Sequence, residues 1–184
     1  MKEKAFKACL KIIETEGWKA FSFAKASEVS GISLHVFHKH FPMPSDVMVY
    51  LFQKLDTQVL KNHDLSQNCS PKDTLFDLFM ERFEAAQRYK PILKRFWQDW
   101  IFSPQEAPSL TCQGYSSMTW MLEAAGLSSR GIPGFLRLQG LLGLYLLTLR
   151  TWLEDDSPDL GKTMVFLDNG LSKLEKAAHF LNSF

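Results

Sequence analysis

The sequence is poor in cysteine, and its cysteines are arranged in a way that argues against both disulfides and structural zinc. Only three occur in 184 residues, Cys9, Cys69 and Cys112, and none forms a Cys-x-x-Cys pair. An odd number of widely spaced cysteines is typical of free thiols in a reducing compartment. We therefore expect a cytoplasmic protein.

The sequence also lacks a long uninterrupted apolar run. The first seventeen residues are charged throughout, which argues against a signal peptide. The most apolar stretch, 140–149, is bracketed by Arg137 and Arg150. Ten residues are too few to span a bilayer, so we expect a buried helix and no membrane insertion.

The sequence has almost no excess of positive or negative charge: its formal net charge is +1. This balance argues against binding of a polyanion by the whole chain. Residues 1–63, however, hold nine Lys against six acidic residues, whereas residues 64–184 hold twelve Lys or Arg against fourteen. The weak basic bias therefore lies in the N-terminal third.

Strand-like alternation is lacking as well, so the predicted fold class is all-α. Expected helices cover 2–16, 34–41, 44–62, 71–89, 91–102, 118–125, 135–154 and 159–181, with a loop at 103–114. No nucleophile–base–acid set and no Gly-rich phosphate loop is evident. We therefore expect neither an enzyme nor a cofactor.

The N-terminal segment 22–47 has the pattern of two short helices joined by a sharp turn. Gly31 suits the turn because glycine tolerates positive φ. Ser33 is a plausible N-cap for the second short helix, and Phe37 and Phe41 are expected to anchor that helix inward. With the amphipathic helix at 2–16, these helices predict a helix-turn-helix module.

A helix-turn-helix presents the exposed side of its second helix to the DNA major groove. His and Lys side chains can donate to phosphates or base edges. No Arg, Asn or Gln lies in 34–41, so the strongest bidentate base contacts are missing. The candidate DNA-binding residues are Ser22, Ser33, Leu34, His35, Val36, His38, Lys39 and His40. The alternative is a solvated surface without nucleic acid.

These residues resemble the N-terminal pattern of the tetracycline-repressor (TetR) family of transcriptional regulators. The matching positions are Gly17-Trp18, Ser22, Gly31-Ile32-Ser33, His40-Phe41-Pro42 and Asp46-Val47. The resemblance implies a DNA-binding domain at 1–46 and a helical effector-binding and dimerisation domain at 47–184. It also implies a ligand-responsive repressor that binds a pseudo-palindromic operator as a homodimer and responds to a small hydrophobic effector. This chain departs from the family at His35-Val36, His38 and Pro44, the last replacing a common lysine.

The C-terminal half is similar to a second group, the ubiquinone-biosynthesis accessory proteins, at 152–157, 162–164 and 166–168. Those proteins share the TetR-like fold and bind isoprenoid lipid without acting as repressors. The alternative function is therefore that of a lipid-binding accessory protein without DNA binding.

Two further patterns suggest metal sites but have simpler explanations. His35, His38 and His40 do not include the four-residue separation typical of two metal-binding histidines on one helix. The run Asp155–Asp159 spells DDxxD, but Ser157 as an N-cap followed by Pro158 explains it as a helix start. We expect no metal.

Two sets of apolar residues complete the predictions. Aromatic side chains that could line a ligand pocket, or equally form a packed core, are Phe76, Phe79, Phe83, Phe96, Trp97, Trp100, Trp120 and Tyr145. Residues expected at a dimer interface of the last two helices, or in an ordinary core, are Leu142, Leu146, Leu167, Leu171, Leu174 and Ala178.

Overall fold

The computed structural model describes residues 1–62, 69–100 and 106–181, except the side chains of Trp100 and of 179–181. The described regular structure is entirely helical, which confirms the all-α prediction. The helices are α1 (Lys2–Glu16), α2 (Phe23–Ser30), α3 (Leu34–His40), α4 (Ser45–Asn62), α5 (Pro71–Ala86), α6 (Lys90–Trp100), α7 (Ala107–Ala124), α8 (Gly131–Leu153) and α9 (Gly161–Leu181), with a 3₁₀ turn at Gln87–Tyr89.

The turn chemistry of the N-terminal helices agrees with the sequence. Gly31 ends α2 in the left-handed conformation with φ of 67°. The Ser22 hydroxyl caps α2 by accepting a hydrogen bond from the Lys25 backbone N–H. Ser33 occupies the N-cap position of α3 but makes no side-chain cap bond. The predicted corner between α2 and α3 is therefore present.

Several helix starts differ from the prediction: α6 begins at Lys90, one residue earlier than expected, and α8 begins at Gly131, four residues earlier. Helix α4 begins at Ser45, because Pro44 instead supplies the carbonyl that accepts from the Val47 N–H. Helix α7 begins at Ala107, so the loop expected at 103–114 is wrong over its described part from Ala107 onward. Pro108 is compatible with a first helical turn, where its missing N–H is not needed. Residues 103–105 lie outside the described residues.

Helix α9 begins at Gly161, two residues later than expected. The Ser157 hydroxyl accepts from the Gly161 backbone N–H at 3.1 Å, and Asp155 also holds the start of the helix. The buried Asp155 carboxylate accepts from the backbone N–H and the hydroxyl of Thr163, at 2.9 and 2.7 Å. It also accepts from the N–H and hydroxyl of Ser157. These bonds give the aspartate a structural role in the α8–α9 connection.

The chain forms two compact units. The first comprises Met1–Lys54 with Arg88–Gln113, and the second comprises Leu55–Gln87 with Gly114–Phe184. Helix α6 thus belongs with the helix-turn-helix by its contacts. The expected functional division at 46/47 remains a prediction.

The core of the second unit contains a buried charged group beside aromatic rings. Arg82 of α5 forms an ion pair of 3.0 Å with Asp56 of α4, and both are almost inaccessible to solvent. The Ser117 hydroxyl donates to the same aspartate at 2.6 Å. The Arg82 guanidinium lies over the Tyr145 ring, 4.9 Å from its centroid. This arrangement joins helices α4, α5, α7 and α8.

Candidate DNA-binding surface and ligand site

Helix α3 exposes most of its predicted DNA-binding residues. Ser33, Leu34, His35, His38 and Lys39 are exposed, and Leu34 is 52% accessible although it is apolar. Val36 and His40 are partly exposed. A surface of this composition can donate hydrogen bonds and contact thymine methyl groups.

The opposite side of α3 fixes the helix to its own unit. Phe37 and Phe41 are buried, as expected. The Phe37 ring lies 5.8 Å from that of Phe23 on α2, and the Phe41 ring 5.9 Å from that of Tyr50 on α4. A helix of seven residues is not stable by itself. These aromatic contacts therefore hold the exposed side chains in a defined orientation.

Positive charges converge on the C-terminal end of α3. The pKa of His40 is lowered chiefly by partial burial. The nearby positive charges of Lys39, Lys2 and the N-terminal amine lower it further. The Lys2 ammonium also lies 3.9 Å from the centroid of the Tyr50 ring. Pro44 cannot contact a phosphate as a lysine would. Lys2 and Lys39 supply cationic groups near His40, and Lys2 is a candidate that the sequence analysis did not name.

Ser22, which was predicted to bind DNA, caps helix α2: its hydroxyl accepts a hydrogen bond from the backbone N–H of Lys25. Among the described residues, no group of three or more His, Cys, Asp or Glu side chains could hold a metal ion.

The aromatic residues predicted to line a pocket are divided between the two units. Phe96, Trp97 and Trp100 belong to the first unit, whereas the remaining five belong to the second. The side chain of Trp100 lies outside the described residues. Phe96 packs edge-on against Trp18, at 4.8 Å between ring centroids. Trp120 is 58% exposed, and Phe76 is partly exposed.

The other three predicted aromatic residues stack on one another. Tyr145 lies 5.7 Å from Phe79 and 5.8 Å from Phe83, and Phe83 lies 5.5 Å from the buried Trp152. Rings in mutual contact form a core cluster. The sequence pattern could not separate this arrangement from a lined cavity, because both need large apolar residues at helical spacing.

A groove of about 600 Å³ lies elsewhere in the second unit, where α5 and α8 begin and α7 and α9 end. Its apolar lining includes Leu75, Leu122, Leu136, Leu141, Leu171 and Leu174, and Lys72, Arg137 and Glu175 also border it. Its volume suits a small ligand. Leu171, Leu174 and Ala178, predicted at a dimer interface, line this groove, whereas none of the predicted pocket aromatics does.

The residues predicted at the dimer interface fall into two groups, buried and at least partly exposed. Leu167 and Leu171 are buried within the single chain, so they are core residues and cannot supply an outer face. Leu142, Leu174 and Ala178 are partly exposed, and Leu146 is exposed. Glycines let α8 and α9 approach closely: a Cβ on Gly140 would lie 2.9 Å from Leu174, and one on Gly170 only 2.2 Å from Leu144.

Large apolar side chains are exposed on both α8 and α9, and we call this set the exposed apolar strip. Its members are Leu136, Leu146 and Leu147 on α8 and Val165 and Phe166 on α9. Leu147 is 58% exposed and Val165 is 63% exposed. The strip was only partly foreseen, because the sequence shows α8 to be apolar on nearly all sides without showing which side the chain itself covers.

Helix α8 is also the one helix, within the described parts of the chain, that could cross a membrane by length and composition. Its most apolar stretch has a mean hydropathy of 1.4 and is 33% buried. A helix that packs in a core on one side and offers an apolar strip on the other meets the same criteria. This property alone is weak evidence for a membrane span.

No protein-family model and no curated protein matches the chain. Solved structures do match its fold. A TetR transcriptional regulator from Nitrosomonas europaea has a TM-score of 0.74 at 16% identity, covering 94% of this chain and 97% of that one. A TetR regulator from a Rhodococcus species has a TM-score of 0.69 at 14% identity, covering 94% and 93%.

A third match is Thermus thermophilus FadR, a TetR-family transcriptional repressor solved in complex with lauroyl-CoA. Its TM-score is 0.62 at 18% identity, covering 94% of this chain and 92% of that one. At these identities the likeness concerns the fold. The chain therefore has the TetR-like fold, from the helix-turn-helix through the last two helices.

Proposed function

We propose that the protein is a cytoplasmic, non-enzymatic DNA-binding transcriptional regulator that acts as a homodimer. The observation that carries this proposal is helix α3, whose His and Lys side chains are exposed while Phe37 and Phe41 fix its other side. The solved regulators with this fold support the same function. A two-fold dimer would place two such helices about 34 Å apart, in successive major grooves.

The dimer is proposed to form through the exposed apolar strip of α8 and α9. An apolar strip of this kind on a soluble protein marks an interaction surface, since its burial is favourable. A two-fold interface needs one self-complementary patch, which a pair of adjacent antiparallel helices provides. Of the residues predicted at the interface, Leu146 is a member of this exposed set.

Fluorescence anisotropy against DNA from upstream of the protein's own gene tests DNA binding. Lys39→Ala should weaken binding to all sequences and reduce the salt dependence by about one unit of slope, as expected for one lost phosphate contact. Lys11→Ala, an exposed lysine on α1, is the matched control. Equal affinity for every sequence at all salt concentrations would contradict the regulator function.

The effector is proposed to be a small hydrophobic molecule bound in the groove between α5, α7, α8 and α9. Arg137 is its most available polar group: it donates to the Ser128 carbonyl, and no described carboxylate lies within ion-pair distance of it. FadR, which was solved with lauroyl-CoA, makes dodecanoate a reasonable first probe. Titration calorimetry with wild type and with Ala177→Trp, which would fill the groove, tests this site; Lys173→Trp on the same helix is the control.

The second candidate is an isoprenoid-binding accessory protein without DNA binding. The apolar groove and the lack of Arg, Asn and Gln on α3 favour it. Native mass spectrometry of the purified protein discriminates the two functions. Co-purified isoprenoid without retention on DNA would favour the accessory protein.

A further inference from the structure

The turn between α1 and α2 is held by two carboxylates from distant parts of the sequence. One oxygen of Asp99, on α6, accepts hydrogen bonds from the backbone N–H groups of Trp18 and Lys19, at 3.1 and 3.3 Å. The indole N–H of Trp18 donates to Glu106 at 2.9 Å in a buried position. Both acids lie at least eighty residues along the chain from the turn they contact.

The local backbone is shaped for this contact. Gly17 has a φ of 88°, which favours glycine, and a Cβ at this position would lie 3.1 Å from Asp99 Oδ2. The second oxygen of Asp99 lies 3.8 Å from the Lys19 ammonium. A side chain at position 17 would therefore press on the carboxylate that holds the turn.

A line of aromatic rings continues from this turn to helix α3. Phe96 of α6 meets Trp18 edge-on at 4.8 Å, and Trp18 stacks on Phe21 at 5.5 Å. Phe21 meets Phe23 at 5.4 Å, and Phe23 lies 5.8 Å from Phe37 of α3. Each ring contacts the next, so the line connects α6 with the buried side of α3.

We propose that Asp99 and Glu106 are positioning residues that set the orientation of α2 and α3 by holding Trp18. They touch no DNA themselves. Their effect on DNA affinity rests on the proposed function. Their effect on the orientation of α2 and α3 does not depend on that function. A packed line of rings transmits a displacement because close-packed side chains cannot deform continuously.

The two carboxylates make different contacts, which suggests two pairs of variants. Asp99→Ala removes the acceptor for two backbone N–H groups, whereas Gln98→Ala alters an exposed neighbour on α6 and is the control. Glu106→Ala leaves the buried indole N–H without its acceptor. Glu106→Gln keeps a carbonyl that can accept that bond and should restore wild-type behaviour.

Hydrogen–deuterium exchange, measured without DNA, is the first readout. Asp99→Ala and Glu106→Ala should accelerate amide exchange in α2 and α3 while leaving α8 and α9 unchanged. Gln98→Ala and Glu106→Gln should resemble wild type. Unchanged exchange in α2 and α3 for both alanine variants, with the protein folded by circular dichroism, would overturn the proposal.

DNA affinity is the second readout. If wild type binds DNA, Asp99→Ala should weaken binding about tenfold, and Glu106→Gln should retain it. Wild-type affinity in both alanine variants would overturn the positioning role. If wild type binds no DNA at all, the proposed function fails, and hydrogen exchange still decides whether the carboxylates position α3.

Discussion

The two units of this chain present opposite chemistry to their surroundings. The first exposes His, Lys and Ser side chains on a short helix whose other side is buried. The second exposes Leu147, Val165 and Phe166 on two long helices. Polar donors on a fixed frame suit hydrogen-bonded recognition of a polar partner, whereas an apolar strip suits burial against another apolar surface. One chain thus carries two surfaces for two kinds of partner.

The interiors of the two units differ as well. The first unit is held by apolar and aromatic side chains, such as Phe37 and Trp18, and its buried Glu106 carboxylate accepts from the neutral indole of Trp18. The second encloses a charged pair, Asp56 and Arg82. Removing one partner of a buried ion pair leaves an uncompensated charge, so such a pair is sensitive to substitution even when its net contribution to stability is small.

The largest expected effect comes from breaking this buried pair. Asp56→Ala should lower the free energy of unfolding by about 3–5 kcal/mol, because Arg82 would remain buried without its carboxylate. Denaturant unfolding followed by circular dichroism measures the change. Lys54→Ala removes the more exposed pair with Glu3 and should cost about 1 kcal/mol or less. Similar losses for the two variants would remove the proposed contrast between the interiors.

The second effect concerns the outer surfaces. Leu147→Glu should dissociate the proposed dimer, because an ionised side chain would enter a face that becomes buried. Analytical ultracentrifugation over a concentration series measures the dissociation. Val29→Glu places the same charge at an apolar residue of α2 that is 64% exposed, and should leave the assembly unchanged. A wild-type monomer at all concentrations would contradict the dimer itself.

The sequence predicted the first unit well because its signals are local. A glycine at a helix corner, a Ser N-cap and aromatic residues at helical spacing act within a few residues of each other. Gly31 and Phe37 lie where they were expected, and Ser33 occupies its expected N-cap position, although it makes no side-chain cap bond. The Trp18 contacts with Asp99 and Glu106 could not be found in this way, since the partners are far apart in sequence.

The second unit was less predictable for a related reason. Which side of an all-apolar helix faces solvent depends on which neighbours cover it. Leu167 and Leu147 have the same character in the sequence, yet the first is fully buried and the second exposed. Helix α7 begins at Ala107, whereas the prediction began at 118. Pro108 and the small polar residues after it are typical of a loop, but they also fit the first turn of a helix. Whether the predicted site residues act as proposed remains a prediction.

A smaller effect is expected at Asp155, with a defined pH dependence. Burial alone would raise the pKa of this carboxyl, but hydrogen bonds from Ser157 and Thr163 outweigh burial and hold the pKa well below its usual range. Its stabilising contribution is therefore present at neutral pH and is lost as the pH falls below the unfolded-state pKa of about 3.9.

Asp155→Asn should lower the free energy of unfolding at pH 7 by about 1–3 kcal/mol, and the difference from wild type should shrink in acid. Asp156→Asn alters the exposed neighbouring residue and should change little. Urea titrations at several pH values provide the measurement. A constant difference between Asp155→Asn and wild type across this pH range would rule out the ionised carboxylate as the stabilising group.

The smallest effect separates two serines that the sequence treats alike. Both occupy N-cap positions, but only the Ser22 hydroxyl accepts a bond from a backbone N–H; Ser33 makes no side-chain cap bond. Ser22→Ala should therefore cost about 1 kcal/mol of stability, and Ser33→Ala only a few tenths. If α3 binds DNA, Ser33→Ala could still reduce affinity, since its exposed hydroxyl is free to meet a phosphate. Thermal unfolding and anisotropy on the same two variants distinguish a serine that stabilises a helix from one that contacts DNA. Equal destabilisation would mean that Ser33 caps α3 in solution, which would leave its hydroxyl unavailable to the phosphate backbone.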